Sequence, residues 1–523
     1  MINAIQIHKS DNVAMVTAQV EKGQDILITE TGQVVNAMES IRAGHKVALT
    51  KLVAGETVVK YGIPIGRMSS AVDKGGWIST HNLEDTTEEL CGEYCQKFRE
   101  GSRKIKAYPR KDGRFGIRNY IIVIPTSPES NAVAEAISDQ TGCIWFVCDR
   151  TRLEEGHITE YTKNAMIYVG RNPNVYAVLV LGTNKNVSTS SEIRDLIVET
   201  SKSVKYLSIN ESEGYETVRK GVSIIQGFQK EASALKRKPI PMEGLYVTLQ
   251  CSASDWTTAI NGNTSVGAAV DLIVKNGGRA SMAEWMEWSG SQHIMAEKCA
   301  TRELGIELLD TMDEVRATVL RETGHPVEYM NPLPGNKEAG LTTLVEKSTG
   351  TIKKAGNTPI QGILDYCEQP SGKGVWLTKH NTISGHMTAT YGALSGAHMS
   401  ILITGIGPIY NEIPPLLCIR VTGNPITYNN DVFKIDFNAG VAFDGKSISE
   451  VGEMLFEYLI RVAEGDEDPK TETNKERAFH MYYYIENEIG AETSNDKEKL
   501  SKMPYNRVYD YHEKCKQFTD SVK

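Results

Sequence analysis

Several short stretches of this 523-residue chain carry side chains that could move protons or grip an acid. Cys251-Ser252-Ala253-Ser254-Asp255 puts a thiol, two hydroxyls and a carboxylate into one short loop, and Glu284 follows the next apolar run. As a trio, Cys251, Asp255 and Glu284 suit metal binding or acid and base work. Asn336 and Lys337 stand between Pro332, Pro334 and Gly340, a stiff frame for a carboxylate anchor or a lysine base. His45 and Lys46 follow a turn glycine, offering a base beside an ammonium. His81 and Asn82 close the same N-terminal region, and Arg114 and Arg118 flank Gly116, where two guanidiniums could hold a carboxylate or sulfonate. Each has a plainer reading. His45 and Lys46 could be a strand-edge histidine and a solvated lysine, Asp255 and Asn82 helix caps, Cys251 a small buried hydrophobe, and Arg114 a partner of Asp112.

The elements around these stretches explain the choice. Residues 13–16, 25–28 and 46–49 are short β-branched or apolar runs between turn residues, which predicts a small β module over 1–82. A polar, helix-prone connector covers 83–106. Beyond it, apolar runs at 120–125, 175–182 and 245–250 each precede a polar loop and an amphipathic segment, and further strands fall at 400–404 and 417–421. Continuous apolar strands alternating with helices predict an α/β body with parallel sheets covered on both faces, dividing near residues 240 and 370. In such sheets ligands bind beyond the carboxyl ends of the strands, where the Cys251 and Glu284 loops fall. Glu346 and Lys347 read as the solvated face of a following helix. Trp285 and Trp288 read as core or pocket wall. His380, His386 and His398, spaced by six and twelve, read as core or surface histidines. The Tyr-rich helical tail after Gly465 is expected to pack on the body or on a second subunit.

Composition excludes several classes. A net charge of −9 argues against a nucleic-acid scaffold, and no apolar run reaches the ~20 residues of a bilayer span. The N-terminus has no charged region followed by an apolar core, and nine dispersed cysteines suit a reducing cytoplasm rather than a disulfide framework. Cys91 and Cys95, one helical turn apart, have no second pair nearby and read as half-buried helix thiols. Gly405-Ile406-Gly407 lacks a third glycine and runs into Pro408, so NAD is not expected.

Longer motifs carry a resemblance. Residues 107–120 (AYPRKDGRFGIRNY), Gly170-Arg171-Asn172-Pro173-Asn174-Val175, Leu249-Gln250-Cys251-Ser252-Ala253-Ser254-Asp255 and residues 331–347 (NPLPGNKEAGLTTLVEK) resemble the large domain of the altronate and galactarate dehydratase family. Asp11-Asn12-Val13-Ala14, Gly44-His45-Lys46-Val47, Lys60-Tyr61-Gly62 and His81-Asn82 resemble its SAF domain, a β-clip. The resemblance spans about residues 1–465 and includes a sulfolactate lyase branch, to which residues 149–174 look closer.

The resemblance implies a lyase that removes a group β to a carboxylate. Sugar-acid dehydration to a 2-keto-3-deoxy acid is the leading expectation, with sulfite release and a catalytically inactive sugar-acid-binding homologue as alternatives. It implies His45, Lys46, Lys337 and Asp255 as catalytic groups, and His81, Arg114, Arg118 and Asn336 around the substrate. Where the family usually carries cysteines this chain has Glu129, Thr183 and Glu412, keeping only Cys251; where the family has two histidines it has Trp77 and Ser79. No iron–sulfur cluster is therefore expected. Cys251, Glu284, Glu129 and Glu412 would suit a divalent Mg²⁺, Mn²⁺ or Fe²⁺. A small hydroxy acid is the expected partner, in a cytoplasmic homo-oligomer.

Overall fold

The computed structural model describes residues 2–84, 103–148, 160–209, 214–379, 386–407 and 415–476. The N-terminal module is β, as its short runs predict. Six strands lie in the spatial order Val34–Asn36, Asp25–Ile28, Ile2–Ile5, Val13–Val16, Lys46–Ala48, Trp77–Ile78. A second sheet joins Thr57–Lys60, Ile63–Met68 and Leu83–Glu84. Every residue of Val13–Val16 is buried because apolar matter lies on both faces. Ala14 and Val16 enter the module's own core with Val20, Ile26 and Val47, whereas Val13 turns to Ala48, Val58, Ile65 and Ile78. Ala259 and Leu341 of the large body complete that second cluster, so the module is closed by its neighbour.

The body holds two parallel sheets. One orders Ile144–Trp145, Tyr120–Pro125, Val175–Thr183 and Ser203–Ile209, covered by helices Asn131–Thr141, Glu160–Arg171, Val187–Val198 and Gly214–Ser233. The other has seven strands: Ile360–Leu364, Gly374–Thr378, Arg279–Met282, Tyr246–Cys251, Met399–Thr404, Leu417–Thr422 and Phe437–Asn438. Five of these run in continuous hydrogen-bonded parallel register through Val375, Ala280, Val247, Met399 and Leu417. This sheet corrects the expected division near residue 370, because strands from both sides of that point share it. The expected connector also ends in structure, since Lys104–Pro109 pairs antiparallel with Lys238–Pro241. Residues 85–102, which include Cys91 and Cys95, and the tail beyond Glu476 lie outside the described residues.

The strand order has a functional consequence. From Tyr246–Cys251 the chain moves to one side of the sheet, and from Met399–Thr404 to the other, although these two strands are neighbours. That is a topological switch point, and the crevice beyond its carboxyl ends is where open α/β sheets bind ligands. Cys251 and Gly405 stand on its two lips. His398 pins the opposite end, where Nδ1 accepts the Tyr246 amide at 3.1 Å and Nε2 lies 2.9 Å from the Phe115 carbonyl. It is a core histidine, as expected.

Candidate active site

Beyond Cys251 the chain makes a tight loop and turns helical at residue 256, continuing through a π segment, Thr258–Gly262, into Asn263–Lys275. Asp255 caps this helix. Its Oδ1 accepts the Thr258 amide at 2.9 Å and the hydroxyls of Thr257 and Thr258 at 2.6 and 3.0 Å, and its Oδ2 accepts Asn424 Nδ2 at 3.0 Å. A carboxylate engaged in this way fits the helix-cap reading of Asp255. The loop is held on two further sides: Asn336 Nδ2 donates to the Ser254 carbonyl at 2.8 Å, and the Gly405 amide to the Ala253 carbonyl at 2.9 Å. Asn336 thus braces the site through main chain, which the stiff proline frame had only suggested.

Cys251 is 6% exposed, with its sulfur 2.9 Å from Ser254 Oγ. Burial pushes the thiol up to about 11, with Glu284 adding to the rise and Lys354 opposing it. Below it, the Cys251 amide donates to both Glu284 carboxylate oxygens at 2.8 and 3.0 Å, and Lys354 Nζ meets Glu284 Oε2 at 2.6 Å. Glu284 adopts a left-handed backbone (φ 58°, ψ 47°), which costs a non-glycine residue on the order of 1 kcal/mol or more. Burial raises its carboxyl against the pull of Lys354. The ion pair and the amide occupy the oxygens that metal binding would use. Among the described residues no three His, Cys, Asp or Glu gather as metal ligands. Glu129 is exposed on the turn Pro128–Ser130 of the other sheet, and Glu412 lies outside the described residues.

The seam with the β module supplies the remaining groups. Gly44 (φ 79°) and Gly340 (φ 90°) meet there: a Cβ on Gly44 would lie 2.0 Å from the Trp256 ring, and one on Gly340 would lie 2.2 Å from the Gly44 carbonyl oxygen. Only glycine permits this approach. The next residue, His45, is 4% exposed, and neither ring nitrogen makes a hydrogen bond. The nearby Glu338 main chain influences its ionisation without reaching bonding geometry. Burial, then the Lys46 charge, lowers the imidazole to about 4, so it is neutral at pH 7. Trp77 stands edge-on between two imidazoles, 5.3 Å from His45 and 5.0 Å from the exposed His81. Asn82 is a turn residue, bonded to the Ser79 amide and the Trp77 carbonyl.

Lys46 is not an available catalyst. It is fully buried and bonds Thr342 Oγ1 at 3.0 Å and Glu346 at 2.9 Å, and Lys60 reaches the same carboxylate at 2.9 Å. Burial alone would raise Glu346, but Lys46 and Lys60 pull it down to about 2. Glu346 and Lys347 are therefore buried, not a solvated face. All nine residues of Leu344–Ile352 are buried, and Lys347 pairs with Glu287 at 2.7 Å. Lys337 lies exposed on the short helix Pro334–Glu338, one residue before the main chain beside His45.

The two arginines are not at this site. Arg114 bonds Asp112 and the Arg171 carbonyl, and Arg118 bonds the Ile117 and Val462 carbonyls and Asp468. Both precede the strand Tyr120–Pro125, at its amino end, and hold main chain there. Trp285 and Trp288 are core, at most 1% exposed. The residues the sequence reading missed are Lys60, Lys354, Trp256 and Asn424. Lys60 alone carried a signal, inside a motif of the resemblance.

Comparison with known proteins agrees with this division of the chain. The altronate/galactarate dehydratase SAF domain matches residues 2–86, the D-galactarate dehydratase/altronate hydrolase second domain 107–233, and the D-galactarate/altronate dehydratase C-terminal domain 242–486. Altronate dehydratase of Bacillus subtilis is 29% identical over 89% of this chain and 96% of its own length. Two subunits of (2R)-sulfolactate sulfo-lyase from Chromohalobacter salexigens also match this chain. Subunit beta is 31% identical over 73% of this chain and 97% of its own length. Subunit alpha is 31% identical over 15% of this chain and 89% of its own length. With all three domains in register, the chain belongs to the D-galactarate/altronate dehydratase family.

Proposed function

We propose that the chain is a hydro-lyase that takes water from a sugar acid of the altronate or galactarate type, giving a 2-keto-3-deoxy acid. The observation that carries this is His45: a neutral imidazole, buried in the seam between the modules, with both ring nitrogens unpartnered. Removing the proton next to a carboxylate needs such an acceptor. His45 is the base in this reading, and exposed Lys337 anchors the substrate carboxylate at the rim. Cys251, held as a protonated thiol in the switch-point loop, is the donor to the departing hydroxyl. Asn336 and Asp255 shape that loop. The described donors do not fit a metal ion, so no step is routed through one. We place the enzyme in a reducing cytoplasm, where thiols such as those of Cys251 and Cys367 would persist, and as a homo-oligomer.

A second reading is sulfite release from a sulfonated hydroxy acid, favoured by the match of both sulfo-lyase subunits to this chain. Sulfite departs as an anion and needs no proton donor. The test is a panel of altronate, galactarate and sulfolactate assayed for 2-keto acid and sulfite, with chelator and with added Mg²⁺, Mn²⁺ or Fe²⁺, in the wild type, His45→Gln and Cys251→Ala. Dehydration requires both side chains, whereas sulfite release survives Cys251→Ala. Wild-type turnover of none of these acids, with or without metal, refutes both readings.

A further inference from the structure

Beneath the switch point lies a buried charge pair that the proposed chemistry does not use. Lys354 is 0% exposed and Glu284 5%, and the carboxylate clamps the Cys251 amide with both oxygens while Lys354 holds it from behind. Satisfying one amide at a strand end needs only a carbonyl or a hydroxyl. Here a residue is kept in a left-handed backbone and two charges are kept out of water. Two contacts on one amide fix its direction as well as its position. That amide leads directly into the Ser252–Asp255 loop, whose Ala253 and Ser254 carbonyls take up Gly405 and Asn336.

Lys354 also belongs to a wider support. It follows the buried helix Leu344–Ile352, whose Glu346 binds Lys46 of the β module, next to His45. The segment 344–354 therefore touches both halves of the site, one end under Cys251 and the other behind His45. Lys347, midway, pairs with Glu287 on the turn that follows Glu284.

We propose that Glu284 and Lys354 are a positioning pair: through the Cys251 amide they set the register of the switch-point loop against the seam. They act through main chain and need not touch substrate. This rests on the site assigned above, so the test includes a readout that needs no turnover. The variants are Glu284→Gln, Lys354→Met and the double variant. Glu284→Gln strips the Lys354 ammonium of its counter-charge and Lys354→Met strips the carboxylate of its own, whereas the double change removes both charges. Both singles are expected to unfold at lower temperature than the wild type, and the double to recover most of that loss.

Positioning predicts that the double variant stays impaired. The turnover number falls ~100-fold with KM little changed, the signature of a misplaced group rather than lost binding. Alkylation of Cys251 by iodoacetamide, followed by peptide mass spectrometry under native conditions, rises ~10-fold as the released loop exposes the thiol. Recovery of melting temperature together with wild-type turnover and wild-type Cys251 protection overturns the proposal, leaving the pair as charge balance. If the wild type turns over no acid while Cys251 protection still depends on Glu284 in the stable double variant, the positioning stands and the lyase reading falls.

Discussion

Replacing Glu346 by Gln keeps the shape of the side chain and removes the one negative charge that two buried lysines share. Lys46 and Lys60 both reach this carboxylate at 2.9 Å, and both are at most 2% exposed. The size of the loss follows from the carboxyl group itself. Its fall from 4.5 to about 2 means that the folded state gains on the order of 3 kcal/mol from ionising it. Breaking a buried ion pair from one side costs about 3–5 kcal/mol by mutation, in the same range. The expected cost of Glu346→Gln is thus about 3–4 kcal/mol, felt first where the β module meets the body. Urea unfolding followed by tryptophan fluorescence reads this directly, because Trp256 and Trp77 both stand at that seam. A triple variant, Glu346→Leu with Lys46→Met and Lys60→Met, removes every charge and should recover most of the loss. A Glu346→Gln protein within about 1 kcal/mol of wild type would refute the buried triad as the seam's electrostatic anchor. The pH sign also follows. Glu346 has a lowered folded value, so its contribution is complete above the unfolded value of 4.5 and disappears as pH falls towards 2.

Three further outcomes are expected. The acid limb of the kcat/KM profile should fall near pH 4, where burial puts His45, and not near 6.5; His45 also contributes stability above pH 6.5 that is lost as pH falls through 4, and His45→Gln should remove both effects. Asp255→Asn should keep most of the turnover, because asparagine caps a helix as well as aspartate does; a loss beyond ~100-fold would return Asp255 to the chemistry. Gly44→Ala should weaken the docked module by ~1–3 kcal/mol, since the new methyl meets the Trp256 ring in a left-handed backbone, and thermal melting with far-UV circular dichroism would measure it.

Much of the architecture could be read from periodicity because burial is written locally. Tyr120–Pro125, Val175–Thr183 and Tyr246–Cys251 are mostly apolar and mostly buried since each strand is covered on both faces, and the loops after them stand out by contrast. The position of Cys251 beside a ligand crevice followed from that pattern. Strand order is not local, which is why a boundary near residue 370 looked reasonable while one sheet crosses it. Leu344–Ile352 misled for a related reason. Glu346 and Lys347 imply a wet face, yet their partners lie far off, with Lys60 286 residues from Glu346. Arg114 and Asp112, two residues apart, form the ion pair their proximity suggested. Long-range charge pairing left no mark that one chain could reveal.

The module's second core is finished by Ala259 and Leu341, and its lysines by Glu346. Were the two parts separate molecules, this surface would be a subunit contact, and the fraction of complete sites would rise and fall with dilution. A covalent tether replaces that encounter by a local concentration on the order of millimolar, so the half carrying His45 and the half carrying Cys251 are made in equal number and meet at any expression level.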